Sequence, residues 1–164
     1  MEGGEVVIDT TYMRDQNFVS RLPTRFQSIS KKSVAELSGT PIGEPSDLRS
    51  YVVETSERAW GKALDQLTCE EARMLVSQKM GLEHIGAYAA EFVFLYPAAE
   101  VSFYAGDFSL CLLRSFDVLL ADCPNAARRI EEVDHDKILE AVSWSKELRV
   151  EAADLIQHVQ STAI

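Results

Sequence analysis

The chain has 164 residues and a mass of 18.3 kDa, enough for one domain with a short appendage. Apolar residues make up 46% and charged residues 26%, which excludes a chain disordered over most of its length. The net charge of −10 sets the surface against phosphate backbones, so direct nucleic-acid binding is not expected.

No apolar run reaches the ~20 residues that span a bilayer. The stretch from Ile85 to Ala99 is interrupted by Gly86, Glu91 and Pro97. The start, Met1-Glu2-Gly3-Gly4-Glu5, has neither the basic nor the apolar region of a signal peptide. Cys69, Cys111 and Cys123 are odd in number and show no CxxC spacing. These features lead us to expect a cytoplasmic protein with free thiols and no membrane contact.

In chain order, Glu5-Val6-Val7-Ile8-Asp9-Thr10-Thr11-Tyr12 is β-branched and reads as a short strand or an extended arm. Pro23, Gly39, Pro41, Gly43 and Pro45 leave no room for a long element before Pro45. We therefore expect an irregular N-terminal arm over residues 1–32 and a helical domain over 33–164.

From Pro45-Ser46-Asp47 onward the signals are helical, with Leu48, Val52 and Ala59 in a first segment. Thr68-Cys69-Glu70-Glu71 is a capping box, and Gly81 offers a left-handed stop after it. A helix from Leu82 to Tyr96 should end at Pro97. Gly106-Asp107 reads as a turn and N-cap before an apolar-rich helix through Phe108, Phe116 and Leu120. Cys123-Pro124-Asn125 separates this from a helix over Ala126 to Glu132. Asp134 should cap a last helix carrying Ile138, Val142, Leu148, Ala152, Leu155 and Val159. Five or six helices joined by short connections predict an all-α, bundle-like domain.

Chemistry-bearing patterns are few. Neither HExxH, GxSxG nor a phosphate-binding glycine motif occurs, and Gly39-Thr40-Pro41-Ile42-Gly43 lacks the lysine of a P-loop. Glu70/Glu71 and Glu131/Glu132 are sequence neighbours, which a helix points about 100° apart. Such pairs do not make a shared acid–base site. Asp134-His135-Asp136 is the one local cluster with metal-ligand chemistry, and a helix start accounts for its acids. We accordingly expect no catalytic residues, no metal and no cofactor.

The aromatic cluster Phe92, Phe94, Tyr96, Phe103, Tyr104, Phe108 and Phe116 is read mainly as core. Trp60 and Trp144 suit either core or interface. Charge is unevenly distributed: net −1 over residues 1–49 and net −9 over 50–164.

Four stretches carry a resemblance to a known family. They are Ser33-Val34-Ala35-Glu36-Leu37-Ser38-Gly39 leading to Gly43-Glu44-Pro45; Ser50-Tyr51-Val52-Val53-Glu54-Thr55; Leu67 through Leu82; and Pro97-Ala98-Ala99 through Phe103-Tyr104-Ala105-Gly106-Asp107 into Leu113. In their order and spacing, over about half the chain, they resemble the immunity proteins of bacterial contact-dependent growth inhibition (CdiI-type). Ile42 stands where the family often has Trp, and Ala105 where it often has Pro.

The resemblance implies a non-enzymatic cytoplasmic inhibitor. Its partner would be the C-terminal toxin domain of a cognate CdiA-type protein, often a nuclease, neutralised by occlusion of its active site. A nuclease tends to be basic, and an acidic inhibitor complements it. Shared motif residues should serve the scaffold, with Gln78 as a candidate buried amide cross-linking helices or facing the toxin. Asp117, Asp122, Glu131, Glu132, Asp134 and Asp136, with Trp144 as an anchor, are the expected toxin interface. An acidic all-α adaptor that binds some other protein is the first alternative, and a small enzyme, metal-dependent through Asp134, His135 and Asp136, is the second.

Overall fold

In the computed structural model, residues 12–41 and 50–162 are described. The expected strand or arm over Glu5 to Tyr12, apart from Tyr12 with its isolated bridge to Glu100, and the helix opening at Pro45-Ser46-Asp47 lie outside these residues. The domain is all-α, as the helical periodicity predicts. Its elements among the described residues are α1 (Val34–Ser38), α2 (Tyr51–Gly61), α3 (Cys69–Ser77), α4 (Leu82–Leu95), α5 (Asp107–Arg114), α6 (Phe116–Asp122), α7 (Pro124–Glu131), α8 (His135–Ala141) and α9 (Lys146–Thr162). These residues contain isolated bridges and no strand.

Among the described residues nine helices stand where five or six are expected, because two predicted segments break and the single-turn α1 precedes Pro45. At Ser115 the backbone leaves the helix between α5 and α6, and the buried Ser115 hydroxyl donates to the Val76 carbonyl of α3 at 3.3 Å. Residues 142–145 likewise form a turn, so the chain from Asp134 onward folds as α8 and α9. Hydrophobic spacing of three to six residues does not register a turn when the flanking apolar residues stay buried on both sides.

Helix starts follow their local chemistry. Thr68 Oγ accepts from the Glu71 amide at 3.2 Å while the Glu71 carboxylate accepts from the Thr68 amide at 2.9 Å, the expected capping box. Ser33 and Glu36 repeat it at α1. Asp134 caps α8, accepting from the Lys137 amide at 3.3 Å. Pro124 opens α7, where its missing N–H costs nothing.

α4 is the central element, packing on α3, α5, α6 and α7, while α9 closes over α5, α7 and α8. The rings of Phe18, Phe92 and Phe108 meet at 5.1–6.3 Å in the core.

Residues 12–32, irregular but for two single 3-10 turns, are part of that core. Met13, Phe18, Val19, Leu22 and Ile29 are all buried. The backbone of this segment serves the start of α3: the Cys69 and Glu70 amides donate to the Gln16 and Arg14 carbonyls, each at 2.9 Å. With the Glu71 amide taken by Thr68, the first turn of α3 is satisfied although buried. Residue 33 is thus no packing boundary.

Two glycines are set by geometry. Gly81 sits at φ 68°, and a Cβ there would meet Val34 Cγ1 of α1 at 2.5 Å. Gly106 sits at φ 84°, where a Cβ would meet Ala141 Cβ of α8 at 3.2 Å. The second contact brings the loop before α5 directly onto α8.

Candidate functional site

The expected interface residues are spread over three consecutive helices and one turn. Asp117 lies in the first turn of α6 and Asp122 at its end. Glu131 and Glu132 end α7; Asp134 and Asp136 begin α8. The last four share one corner of the chain within six residues. Asp117 is drawn elsewhere, toward α9, where its Oδ1 lies 2.7 Å from His158 Nε2.

At the α7–α8 corner the acids are largely open: Glu132, Asp134 and Asp136 are exposed and Glu131 is half-buried. Arg129 is turned inward. Its guanidinium holds the buried Glu91 carboxylate at 3.0 and 3.2 Å, and stands 3.4 Å from the centroid of the Phe94 ring. Glu132 takes only its outer edge, at 3.5 Å. Arg128 and Lys137 remain as exposed cations of the corner. Trp144, in the α8–α9 turn, is 67% exposed, with its ring against Tyr104 at 6.0 Å.

A second feature was not anticipated: a wired polar cluster beneath the loop of residues 97–106. Asp107, 1% exposed, accepts from three successive amides, Val101 at 3.0 Å, Ser102 at 2.7 Å and Phe103 at 2.8 Å. Asp107 therefore does not cap its own helix, contrary to the expectation from sequence. Asp107 is the first residue of α5, and its carboxylate reaches back to the loop because the left-handed Gly106 turns it there.

Arg73 of α3 supports the same loop. It donates from Nε to Ser102 Oγ at 2.7 Å, and its guanidinium stacks 4.9 Å from the Phe103 centroid. Arg14 donates to the Ser102 carbonyl at 2.7 Å and lies 3.0 Å from Glu70, whose carboxylate also accepts from the Tyr51 hydroxyl. Burial and the neighbouring Glu70 carboxylate both raise the Tyr51 phenol above its ordinary range. Above this wiring, Phe103 is 58% exposed and touches Tyr51 edge-on at 5.9 Å. One signal in the sequence pointed here: Arg73 interrupts the buried apolar run of α3, and such an arginine needs a partner.

The Glu71 carboxylate of the capping box is occupied as well. Burial opposes ionisation of Glu71, but the Thr68 amide, Arg58 at 2.7 Å and Lys62 at 3.0 Å outweigh it and hold its carboxyl below the usual range. Burial pushes the Cys69 thiol up to about 12, and raises Cys111 beside Arg73.

Gln78, considered as a buried amide, is exposed, and its Nε2 reaches only Ser77 Oγ at 3.5 Å. Trp60 is half-buried and donates from Nε1 to the Thr40 carbonyl at 2.9 Å. In the Asp134-His135-Asp136 cluster, His135 Nε2 sits 3.0 Å from the Ile130 carbonyl. No group of three or more His, Cys, Asp or Glu is placed to hold a metal among the described residues. Nor is any helix of these residues long and apolar enough to cross a membrane.

Comparison with protein-family models, curated proteins and solved structures gives no match for this chain.

Proposed function

We propose that this chain is an immunity protein that binds the C-terminal toxin domain of a cognate CdiA-type protein and occludes its active site. One observation carries the reading: the acids of the chain fall into two classes. Glu70, Glu71, Glu91 and Asp107 are buried against cations or amides. The acids of the α7–α8 corner, by contrast, project toward solvent. A field so placed steers a basic partner and competes with a polyanion for the same groove. The sequence resemblance over Ser33 to Arg114 supplies the biological setting, with a nuclease as the kind of toxin.

The deciding experiment co-expresses this chain with the toxin domain encoded immediately upstream, then titrates the purified pair at two salt concentrations. Restored growth, with binding that weakens as salt rises, is the expected outcome. Absence of both rescue and binding overturns the proposal.

A further inference from the structure

We infer that the loop of residues 97–106 is the apolar centre of the interface with that basic partner, flanked by the acidic α7–α8 corner. Phe103 and Trp144 are its anchors. This rests on the function proposed above and specifies where the binding energy resides.

The loop is built for display. Three consecutive amides are fixed by the buried Asp107 carboxylate, and Ser102 is held on its carbonyl by Arg14 and on its hydroxyl by Arg73. Such wiring removes the ordering entropy that a free loop loses on binding. Yet the side chain it fixes most closely, Phe103, is left largely exposed. A loop serving only the core would turn that ring inward, as it turns the side chain of Val101, at 0% exposure.

Phe103 and Tyr104 are consecutive, so two aromatic pairs flank one short loop: Phe103 with Tyr51 of α2, and Tyr104 with Trp144. Aromatic side chains with restricted rotamers are the commonest interface anchors. The loop is continuous with the acidic corner through α8. Gly106 packs on Ala141, the last residue of α8, and the same helix carries Asp136 in its first turn. Between loop and helix lies a hollow of about 330 Å³ with Ala98, Ala105 and Ala141 at its walls and Glu140 and Lys137 at its rim.

Charge identifies the occupant. Around the loop stand Glu100 and Glu140, with Asp136 in the first turn of α8 and Asp134 at its N-cap, so the acids of this rim outnumber its exposed lysine, Lys137. A partner bearing arginine or lysine meets carboxylates at the rim and the open face of Phe103 at the centre, where a cation over the ring is favourable. An acidic or purely apolar partner meets repulsion or unpaired carboxylates instead.

The test measures binding kinetics of the full chain with the upstream-encoded toxin domain, using Phe103→Ala, Trp144→Ala and the pair Glu131→Lys with Asp134→Lys. Circular dichroism and the melting temperature of each variant establish folding. Each aromatic truncation should weaken binding about tenfold or more through faster dissociation. The lysine pair should act on the association rate and flatten its salt dependence. Unchanged dissociation in both folded aromatic variants, with the wild type binding tightly, overturns this inference and leaves the function standing. If the wild type does not bind, the functional reading falls and this one with it. Should Phe103→Ala unfold, Phe103→Leu keeps the packing on Arg73 and must still accelerate dissociation.

Discussion

Two carboxylate-rich regions of this chain use the same residue types to opposite ends. Beneath the 97–106 loop and at the start of α3, Asp107, Glu70 and Glu71 are buried and each meets several donors. At the α7–α8 corner, Asp134 has one backbone donor and Asp136 is exposed in the first turn of its helix. Burial makes a carboxylate expensive unless every oxygen is satisfied, so the first group is fixed structure. Exposure makes the second group cheap to change in the fold and leaves its field available to a partner. Acidic composition alone does not separate the two.

The comparison breaks most visibly at Asp107. Replacing it with alanine strips three amides of their acceptor inside a buried pocket, at about 1–3 kcal/mol for each group left unpaired. Asp107→Ala is expected to lose about 3 kcal/mol or more in denaturant unfolding. Asp107→Asn retains one carbonyl acceptor and should fall between it and the wild type. A loss below ~1 kcal/mol for the alanine variant would show that the loop is held by its aromatic contacts instead.

Glu71 comes next. Glu71→Ala removes the capping partner of Thr68 together with the counter-charge of Arg58 and Lys62, whereas Glu71→Gln keeps the cap, because glutamine also fills that position of a capping box. We expect about 2 kcal/mol for alanine and about 1 kcal/mol for glutamine, since both cations are partly in water and lose little. The folded carboxyl is depressed, so its stabilisation is complete above the ordinary carboxylate range. It is lost as pH falls through the folded value. Acid titration of unfolding free energy should therefore be shallower in Glu71→Gln than in the wild type.

Cys69 has the opposite sign. Its thiol titrates near 9.0 in an open chain and is pushed to about 12 by burial. The unfolded chain thus releases a proton first, and stability should decline as pH rises above about 9. Cys69→Ala is expected to lessen that alkaline decline, at a neutral-pH cost of about 1 kcal/mol for the small void. An unchanged alkaline slope would assign the decline to Tyr51, Tyr104 and Cys111, which burial also raises.

How legible this was depended on range. Caps were readable because Thr68–Glu71 and Asp134 act within three residues of themselves. The helical class followed from periodicity, and so did the burial of Phe92, Phe108 and Phe116. Long-range satisfaction was not readable. The amides of Cys69 and Glu70 depend on carbonyls more than fifty residues away, and the Asp107 carboxylate serves a loop instead of its own helix. Breaks at Ser115 and after Ala141 are fixed by packing on α3 and on the 97–106 loop, which no window along the chain contains. The acidic corner was visible as composition; Phe103 and Tyr51 were not, because exposure of an aromatic is decided by what fails to cover it.

The smallest effect on the fold falls at that acidic corner, and there it sharpens the comparison most. Asp136 is exposed in the first turn of α8, so Asp136→Lys removes a favourable helix-terminus charge worth about 0.3–1 kcal/mol. Glu131→Lys, at the last residue of α7, places a cation where the helix dipole accepts it and should leave the melting temperature within about 2 °C. Neither change reaches the core, whose nearest buried members, Ile130, Val133 and Ile138, keep their contacts. Both reverse the field a basic partner would meet, so the association rate should fall several-fold at low salt and approach the wild-type value at high salt. A region that tolerates reversed charge in folding while losing rate in binding is an interface. If instead the lysine variants unfold early, the corner is structural like its buried counterpart, and the distinction between the two regions disappears.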